Sequence, residues 1–366
     1  MKDAGSAIRV GFIGGGFMAQ VHSRAARAAR ARLSGIVSST RENSERVAGD
    51  LGFERAYGSA EELFADESID VIHIVTPNTT HASLAHAAIA AGKHVVCEKP
   101  LTTSVNDAEA LTSAALAAGV TATVPFVYRF HPMVREVRAR LQSGRAGRLL
   151  SIQGSYLQDW LLAPSDDNWR VDEDRGGPSR AFADIGSHLA DLIEFVTGDR
   201  MLRLQAVKRT VFDERVIHRP VTTEDLVAVL FETQGGAIGT LLVSQLAPGR
   251  KNRLQFEISG TDETFAFDQE DPESLWIGRR CGSELLRRDL ELGADALRLS
   301  VLPPGHPLGY QDAFNAFVAD SYAAIRGESR DGLPTFDDGL RAVTITEAVL
   351  ESSRSGLWVE TGGVLV

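Results

Sequence analysis

Three short constellations in this 366-residue chain combine residue types that can do chemistry. Gly14, Gly16 and Ala19 satisfy the spacing G-x-G-x-x-(G/A) directly after the apolar run Ile8 to Ile13. In that spacing the first glycine permits a tight turn, the second admits a pyrophosphate to the backbone, and the third small residue lets helix and strand pack closely. A phosphate there meets free N–H groups and the positive end of a helix dipole. The second constellation is Glu98-Lys99-Pro100, a lysine flanked by a carboxylate and fixed by a proline that restricts its backbone. In the third, Asp184 and His188 stand four apart with Asp191 one turn further on, so a helix puts them on one face. A histidine flanked by carboxylates is held in one tautomer and suits a group that takes up a proton. The same pattern can also bind a metal, although no matching cluster stands elsewhere, and a plain helix with capping and salt-bridging side chains stays open.

The elements that must position these groups read as alternating strands and helices over about 125 residues, which defines a doubly wound domain. Strands are expected at Leu33 to Val37, Val71 to Val75, His94 to Cys97 and Val120 to Val124, and helices at Phe17 to Arg30, Asn43 to Leu51, His81 to Ala91 and Thr102 to Ala118. Ser59 with Glu62 three residues on fits a capping box. The almost wholly apolar strand Val71 to Val75 suits a parallel sheet covered on both faces, and His73 inside it reads as a core histidine. Thr76-Pro77-Asn78-Thr79-Thr80-His81 follows at the carboxyl end, the edge where open α/β sheets bind ligands, and Lys99 is delivered to the same edge.

Folds of this kind that take NAD usually place Asp or Glu about 20 residues beyond the glycine turn, to accept from the ribose 2′-OH. Here Ser38, Ser39, Thr40 and Arg41 occupy that point. No carboxylate there repels a 2′-phosphate and Arg41 can pair with one, which favours NADP over NAD. The alternative is that the serines are turn residues and Glu42 serves the ribose.

Glu98-Lys99-Pro100 and Gly14-Gly15-Gly16-Phe17-Met18-Ala19, with Tyr128-Arg129-Phe130-His131-Pro132 and Asp184-Ile185-Gly186-Ser187-His188, resemble the Gfo/Idh/MocA family of oxidoreductases. The likeness runs from the first strand to the last helix. It implies an N-terminal Rossmann domain, residues 1–126, followed by an α+β domain, residues 127–366, with a large, open, mostly antiparallel sheet. It also implies oxidation or reduction of a carbinol of a sugar, inositol or related polyol with NAD or NADP. The family's catalytic lysine matches Lys99, and its paired aspartate and histidine match Asp184 and His188. Val127 stands where many members carry asparagine, which puts a contact from that side chain in doubt.

These readings together put the cofactor against Gly14, Gly16, Phe17, Met18, Ser38, Ser39, Arg41, Thr76, Pro77, Asn78, His81, Glu98 and Lys99. They put the substrate against Lys99, Tyr128, Arg129, Trp160, Trp169, Arg170, Asp184 and His188. His188 is assigned as general base, Asp184 as its orienting partner and Lys99 as the cation that polarises the oxygen, with Lys99 itself as base the other option. A different class also stays open, since relatives of this fold include cofactor-binding regulators without turnover and glycosidases that use NAD transiently.

In the second half, the loop from Gln158 to Pro178 carries Trp160, Trp169 and Arg170. Aromatic faces and charged groups suit a sugar site, and the tryptophans can equally anchor a long loop onto the core. Strands follow at Leu202 to Thr210, Asp225 to Glu232, Gly236 to Leu246, Asn252 to Ser259 and Thr264 to Asp268, then helices at Gln311 to Arg326 and Asp337 to Ser355. Leu226 to Phe231 is continuously apolar, so both faces of that strand are expected to be covered. A second subunit is expected to cover part of the sheet, giving a homodimer or homotetramer.

Length makes two domains the default, and 43% apolar residues suffice for substantial cores. A formal charge of −11 without a lysine or arginine run argues against a nucleic-acid surface. No apolar run is long enough to span a membrane. The N-terminus has no charged leader with an apolar core and cleavage site, and Cys97 and Cys281 lie far apart. A cytoplasmic, soluble protein with reduced thiols is expected.

Overall fold

The structure, a computed structural model, describes residues 7–328 and 330–362. In chain order its elements begin β1 (Arg9–Ile13), α1 (Phe17–Ala28), β2 (Arg32–Val37), α2 (Arg41–Leu51), α3 (Ala60–Ala65), β3 (Val71–Ile74), α4 (His81–Ala90), β4 (His94–Cys97), α5 (Val105–Ala118) and β5 (Ala122–Thr123). They continue with α6 (Pro132–Gln142), β6 (Leu149–Leu157), α7 (Glu173–Gly176), α8 (Ser187–Thr197), β7 (Met201–Arg209), β8 (Leu226–Thr233), β9 (Ile238–Ser244), β10 (Arg253–Gly260) and β11 (Thr264–Asp268). The last are β12 (Ser274–Arg279), β13 (Gly282–Arg287), α9 (Ala294–Leu299), α10 (Tyr310–Ile325), α11 (Phe336–Ser355) and β14 (Val359–Glu360). Two compact units result, one of residues up to Val127 with Tyr310–Leu340, the other of Tyr128–Gly309 with the residues from Arg341 on.

The first unit holds a five-stranded sheet in the order β2-β1-β3-β4-β5, every pair parallel. Its strands are buried because helices cover both faces, so β3 is apolar except for His73. Helix starts follow local chemistry: Thr40, Ser59 and Ser104 each accept a backbone N–H of the first turn, from Asn43, Glu62 and Asp107. Glu62 reaches back to the N–H of Gly58, one residue before the Ser59 cap. Helix α10, read from sequence as part of the second domain, belongs to this unit; Tyr322 hydrogen-bonds His73 and Ser321 meets Thr123.

The second unit is built on a nine-stranded sheet in the order β13-β12-β11-β10-β6-β9-β8-β7-β14, antiparallel except for β6 with β9. Helix α8 lies against the centre of one face. A Cβ on Gly154 of β6 would meet Leu189 at 3.1 Å and Ile193 at 3.2 Å, so glycine is what lets the helix sit that close. The other face is open and partly apolar. Register aligns Leu230, Thr240, Gln153, Glu257, Ala266, Trp276 and Leu285 in one cross-strand row, and Val207, Ala228 and Leu242 in the next. The expectation that both faces of β8 are covered is therefore corrected: Val227, Val229 and Phe231 are buried, while Ala228 and Leu230 are exposed. A run of apolar residues reports that a face can be covered, not that the same chain covers it.

In this unit His131, at the N-terminus of α6, is buried with its ring stacked on Tyr128 at 5.9 Å, and its Nε2 has no hydrogen-bond partner. Burial pushes its pKa from 6.5 down to about 4. The folded state thus holds it neutral while the unfolded chain takes up a proton, so stability present above the unfolded pKa is lost as pH falls toward the folded one. This single group should cost about 2 kcal/mol by pH 5. Replacing it by His131→Phe should shrink the drop in Tm between pH 7.5 and 5, measured by thermal unfolding at both pH values; an unchanged drop contradicts the assignment.

Candidate functional site

In the first unit, β1 ends in the glycine turn. Gly14 has φ +109°, and a Cβ on it would lie 2.5 Å from the Val75 carbonyl oxygen, so no other residue fits. Gly16 differs: it caps α1 with ordinary extended backbone, and nothing lies within 4 Å of where its Cβ would be. The open space at the start of a 12-residue helix whose first turn has no acidic residue fits a pyrophosphate. Phe17 beside it is 69% exposed and Met18 half-buried, which leaves an apolar surface available at the turn.

At the end of β2, Ser38 donates its N–H to Ser44 Oγ, Ser39 Oγ accepts from Asn43 Nδ2, and exposed Arg41 pairs with Glu45 at 3.2 Å. Glu42 stands in the first turn of α2; backbone and Thr40 hydrogen bonds hold its pKa below the usual range. After β3, Thr76 and Pro77 are half-buried, Asn78 is buried, and Thr80 Oγ donates to the Pro77 carbonyl while it shares a hydroxyl–hydroxyl hydrogen bond with Thr76 Oγ.

His81, expected among the cofactor contacts, is instead fully buried and braces the site from beneath. Its Nδ1 lies 2.8 Å from the Pro100 carbonyl and its Nε2 3.0 Å from the Thr76 carbonyl. Burial lowers its pKa, and a neutral ring can donate to only one of these carbonyls at a time. From β4 comes buried Glu98, whose Oε2 accepts the N–H of half-buried Lys99 at 3.1 Å. Cys97 before it is buried, with its thiol pushed well up by desolvation; Cys281, in the second unit, is exposed.

In the second unit, Asp184 does not sit on a regular helix. Phe182–Gly186 forms a π-turn that runs into α8, and such turns recur at functional sites. Buried Glu224 holds its start: one carboxylate oxygen accepts from Ser179 Oγ and from the N–H groups of Arg180 and Phe182. Gly186 is needed because a Cβ would strike the Phe182 ring at 2.6 Å. Asp184 then receives Gln245 Nε2 at 3.0 Å and Arg170 Nε at 3.3 Å. Arg170, expected against substrate, thus reaches Asp184 while it stacks on Trp169 at 4.5 Å.

His188 is buried on α8 with the Tyr128 ring edge-on at 5.1 Å. Tyr128 OH meets Tyr156 OH at 2.5 Å and accepts from Asn252 Nδ2, Gln158 donates to Asn252 Oδ1, and Trp160 Nε1 donates to Gln158. A continuous polar chain therefore links the loop tryptophan to the ring beside His188. Trp160 also packs on Leu161, Val171 and Val221, the anchoring role open to it from sequence. Arg129, expected at the substrate, is buried and paired through two nitrogens with Asp191.

Sequence reasoning missed Glu224, Gln245, Arg215 and Asp225. Buried Arg215 donates to the carbonyls of Leu161, Ala163 and Asp166 and to Asp225, and so fixes the Trp160 loop. The available signal was the pair of carboxylates just before an apolar strand and the polar residue just after one. Among the described residues no group of three or more His, Cys, Asp or Glu can hold a metal ion.

A model for the oxidoreductase family with NAD-binding Rossmann fold, GFO_IDH_MocA, matches residues 8–126, and the GFO/IDH/MocA C-terminal domain model matches residues 134–266. Levoglucosan dehydrogenase of Pseudarthrobacter phenanthrenivorans is 30% identical over 392 residues, which cover 96% of this chain and 98% of that protein. An oxidoreductase domain protein from Kribbella flavida superimposes with TM-score 0.91 at 33% identity, over 98% of this chain and 100% of the other. Levoglucosan dehydrogenase in complex with NADH and L-sorbose gives TM-score 0.92 at 29% identity over the same shares.

The two glycines make separable predictions. Gly16→Val should leave Tm near that of the wild type but weaken binding of reduced nicotinamide cofactor at least tenfold, because it fills only the open space. Gly14→Ala should lower Tm, because it strikes backbone. Fluorescence titration and thermal unfolding read both; tight cofactor binding by Gly16→Val contradicts the placement.

Proposed function

The chain belongs to the GFO/IDH/MocA oxidoreductase family, and on that premise we propose that it oxidises or reduces a secondary alcohol carbon of a sugar, inositol or related polyol. The observation that carries this reading is the delivery of Lys99 by β4 to the same carboxyl edge that bears the open glycine turn after β1. The nicotinamide, when bound, takes or gives the hydride. Gly14 and Gly16 hold the pyrophosphate, and Thr76, Pro77 and Asn78 form the wall beside it. Ser38, Ser39 and Arg41 receive the ribose side, and without a carboxylate at the end of β2 they favour a 2′-phosphate, hence NADP.

Lys99 polarises the carbinol oxygen and stabilises the developing alkoxide. His188 accepts the hydroxyl proton in the oxidative direction and returns it in the reductive one. Asp184, held by Gln245 and Arg170, shapes the π-turn from which His188 starts. Gln158 and Trp160 supply amide and aromatic surface to the sugar. A second copy of this chain covers the open sheet face with Leu230, Leu242, Val207 and Trp276, and a monomeric mass at micromolar concentration overturns that assembly.

Incubation with a panel of sugars, inositols and anhydrosugars, followed by absorbance of the reduced nicotinamide, should show turnover with at least one of them and tighter binding of NADPH than NADH. Lys99→Met and His188→Ala should each lower kcat about 10²-fold or more with cofactor binding largely kept. Wild-type turnover in both variants refutes the assignment.

A further inference from the structure

Four polar side chains form an unbroken line through the core of the first unit. Tyr322 of α10, His73 of β3 and His22 of α1 are fully buried, and Glu98 at the end of β4 is nearly so. Tyr322 OH lies 2.8 Å from His73 Nε2, and His73 Nδ1 lies 2.9 Å from His22 Nδ1. His22 Nε2 lies 2.9 Å from Glu98 Oε1. The second Glu98 oxygen accepts the Lys99 N–H. Aromatic rings close the line off on its sides, Phe12 stacked on His73 at 4.6 Å and Phe314 against His22 at 4.6 Å.

The Glu98 carboxylate sets the direction of the last link, and one tautomer pair carries that direction through the whole row. A carboxylate only accepts, so His22 donates through Nε2, and the facing Nδ1 atoms of His22 and His73 share a single proton. With His73 donating through Nδ1, its Nε2 accepts the Tyr322 hydroxyl. In that arrangement all donors point the same way, toward Glu98, and dipoles in such a row reinforce one another. Burial, with His22 beside it, keeps the His73 pKa well below the usual value, which agrees with a neutral ring. Packing alone does not call for this arrangement. The other positions of β3 are valine and isoleucine, and burying an imidazole is unfavourable unless both nitrogens are paired.

We propose that Tyr322, His73 and His22 form a positioning relay that fixes the Glu98 carboxylate and, through it, the peptide of Lys99, an assignment that rests on the catalytic role proposed above for Lys99. Glu98 holds the peptide on its N–H side, while His81 holds the Pro100 carbonyl on the other. A tyrosine on a helix far along the chain thereby sets the geometry of the lysine. None of the three relay residues touches the reacting atoms.

The test uses the full-length wild type with His73→Val and Tyr322→Phe. Valine suits a buried parallel strand, so His73→Val should still fold, with a Tm lowered by the loss of a partner at Tyr322 OH and His22 Nδ1, and Tyr322→Phe removes only the first donor. Both should lower kcat by about tenfold, with sugar KM and cofactor Kd within about twofold of the wild type. Full kcat in both folded variants overturns the relay. Histidine ¹⁵N spectra give a readout independent of turnover: His22 should be the Nε2–H tautomer and His73 the Nδ1–H tautomer. The Lys99 amide resonance should shift in both variants. His73 found as the Nε2–H tautomer, or a Lys99 amide unmoved by either change, overturns the proposal even if one variant fails to fold. If the wild type turns over no sugar, the catalytic reading falls, while these resonances still decide the relay.

Discussion

Parallel pairing of β1 with β3 and of β3 with β4 is the constraint from which the first unit's chemistry follows. Strands that run the same way end on the same edge, so whatever follows each strand in sequence becomes a neighbour in space. The turn after β1 supplies the phosphate cradle, the end of β2 the hydroxyls and Arg41, the loop after β3 a wall, and the end of β4 Glu98 and Lys99. Hydrogen bonds beneath that edge, from His81 and His22, tie the loops to the core.

The second unit solves a different problem, holding an aspartate and a histidine in place on a helix that starts irregularly. Its device is a set of buried carboxylates that accept several donors each: Glu224 at the π-turn, and Asp225 receiving Arg215 and Arg180 along with the N–H of Val211. A buried charge is tolerated when its lone pairs are occupied, and removing one partner strands the other. The loop between β6 and α7 is tied down in the same way: an arginine from elsewhere in the chain gathers its carbonyls.

Much of this was legible in the residues. The glycine spacing, the apolar strands and the cap serines fixed the first sheet, because those signals are local and each has a steric or hydrogen-bonding cause. Lys99, Asp184 and His188 stood out by type and spacing. The π-turn was not legible, since Asp184 and His188 four apart read as one helical face, and the start of the turn is held from outside by Glu224. Nor were the hairpin β12–β13 or the return of α10 to the first unit. Ser274 to Arg287 has no strict alternation, and the membership of α10 depends on Tyr322 finding His73 across 249 positions of sequence. Arg129 and His81 were misplaced for a related reason: charge and polarity suggested ligands, and buried partners claimed both side chains.

We propose that Lys99 and His188 serve one substrate oxygen. A crystal structure of the ternary complex with reduced cofactor and a turned-over sugar measures this directly. Lys99 Nζ and a His188 ring nitrogen should each lie about 3 Å from the same hydroxyl oxygen. Two different hydroxyls, or a histidine that contacts none, would contradict it.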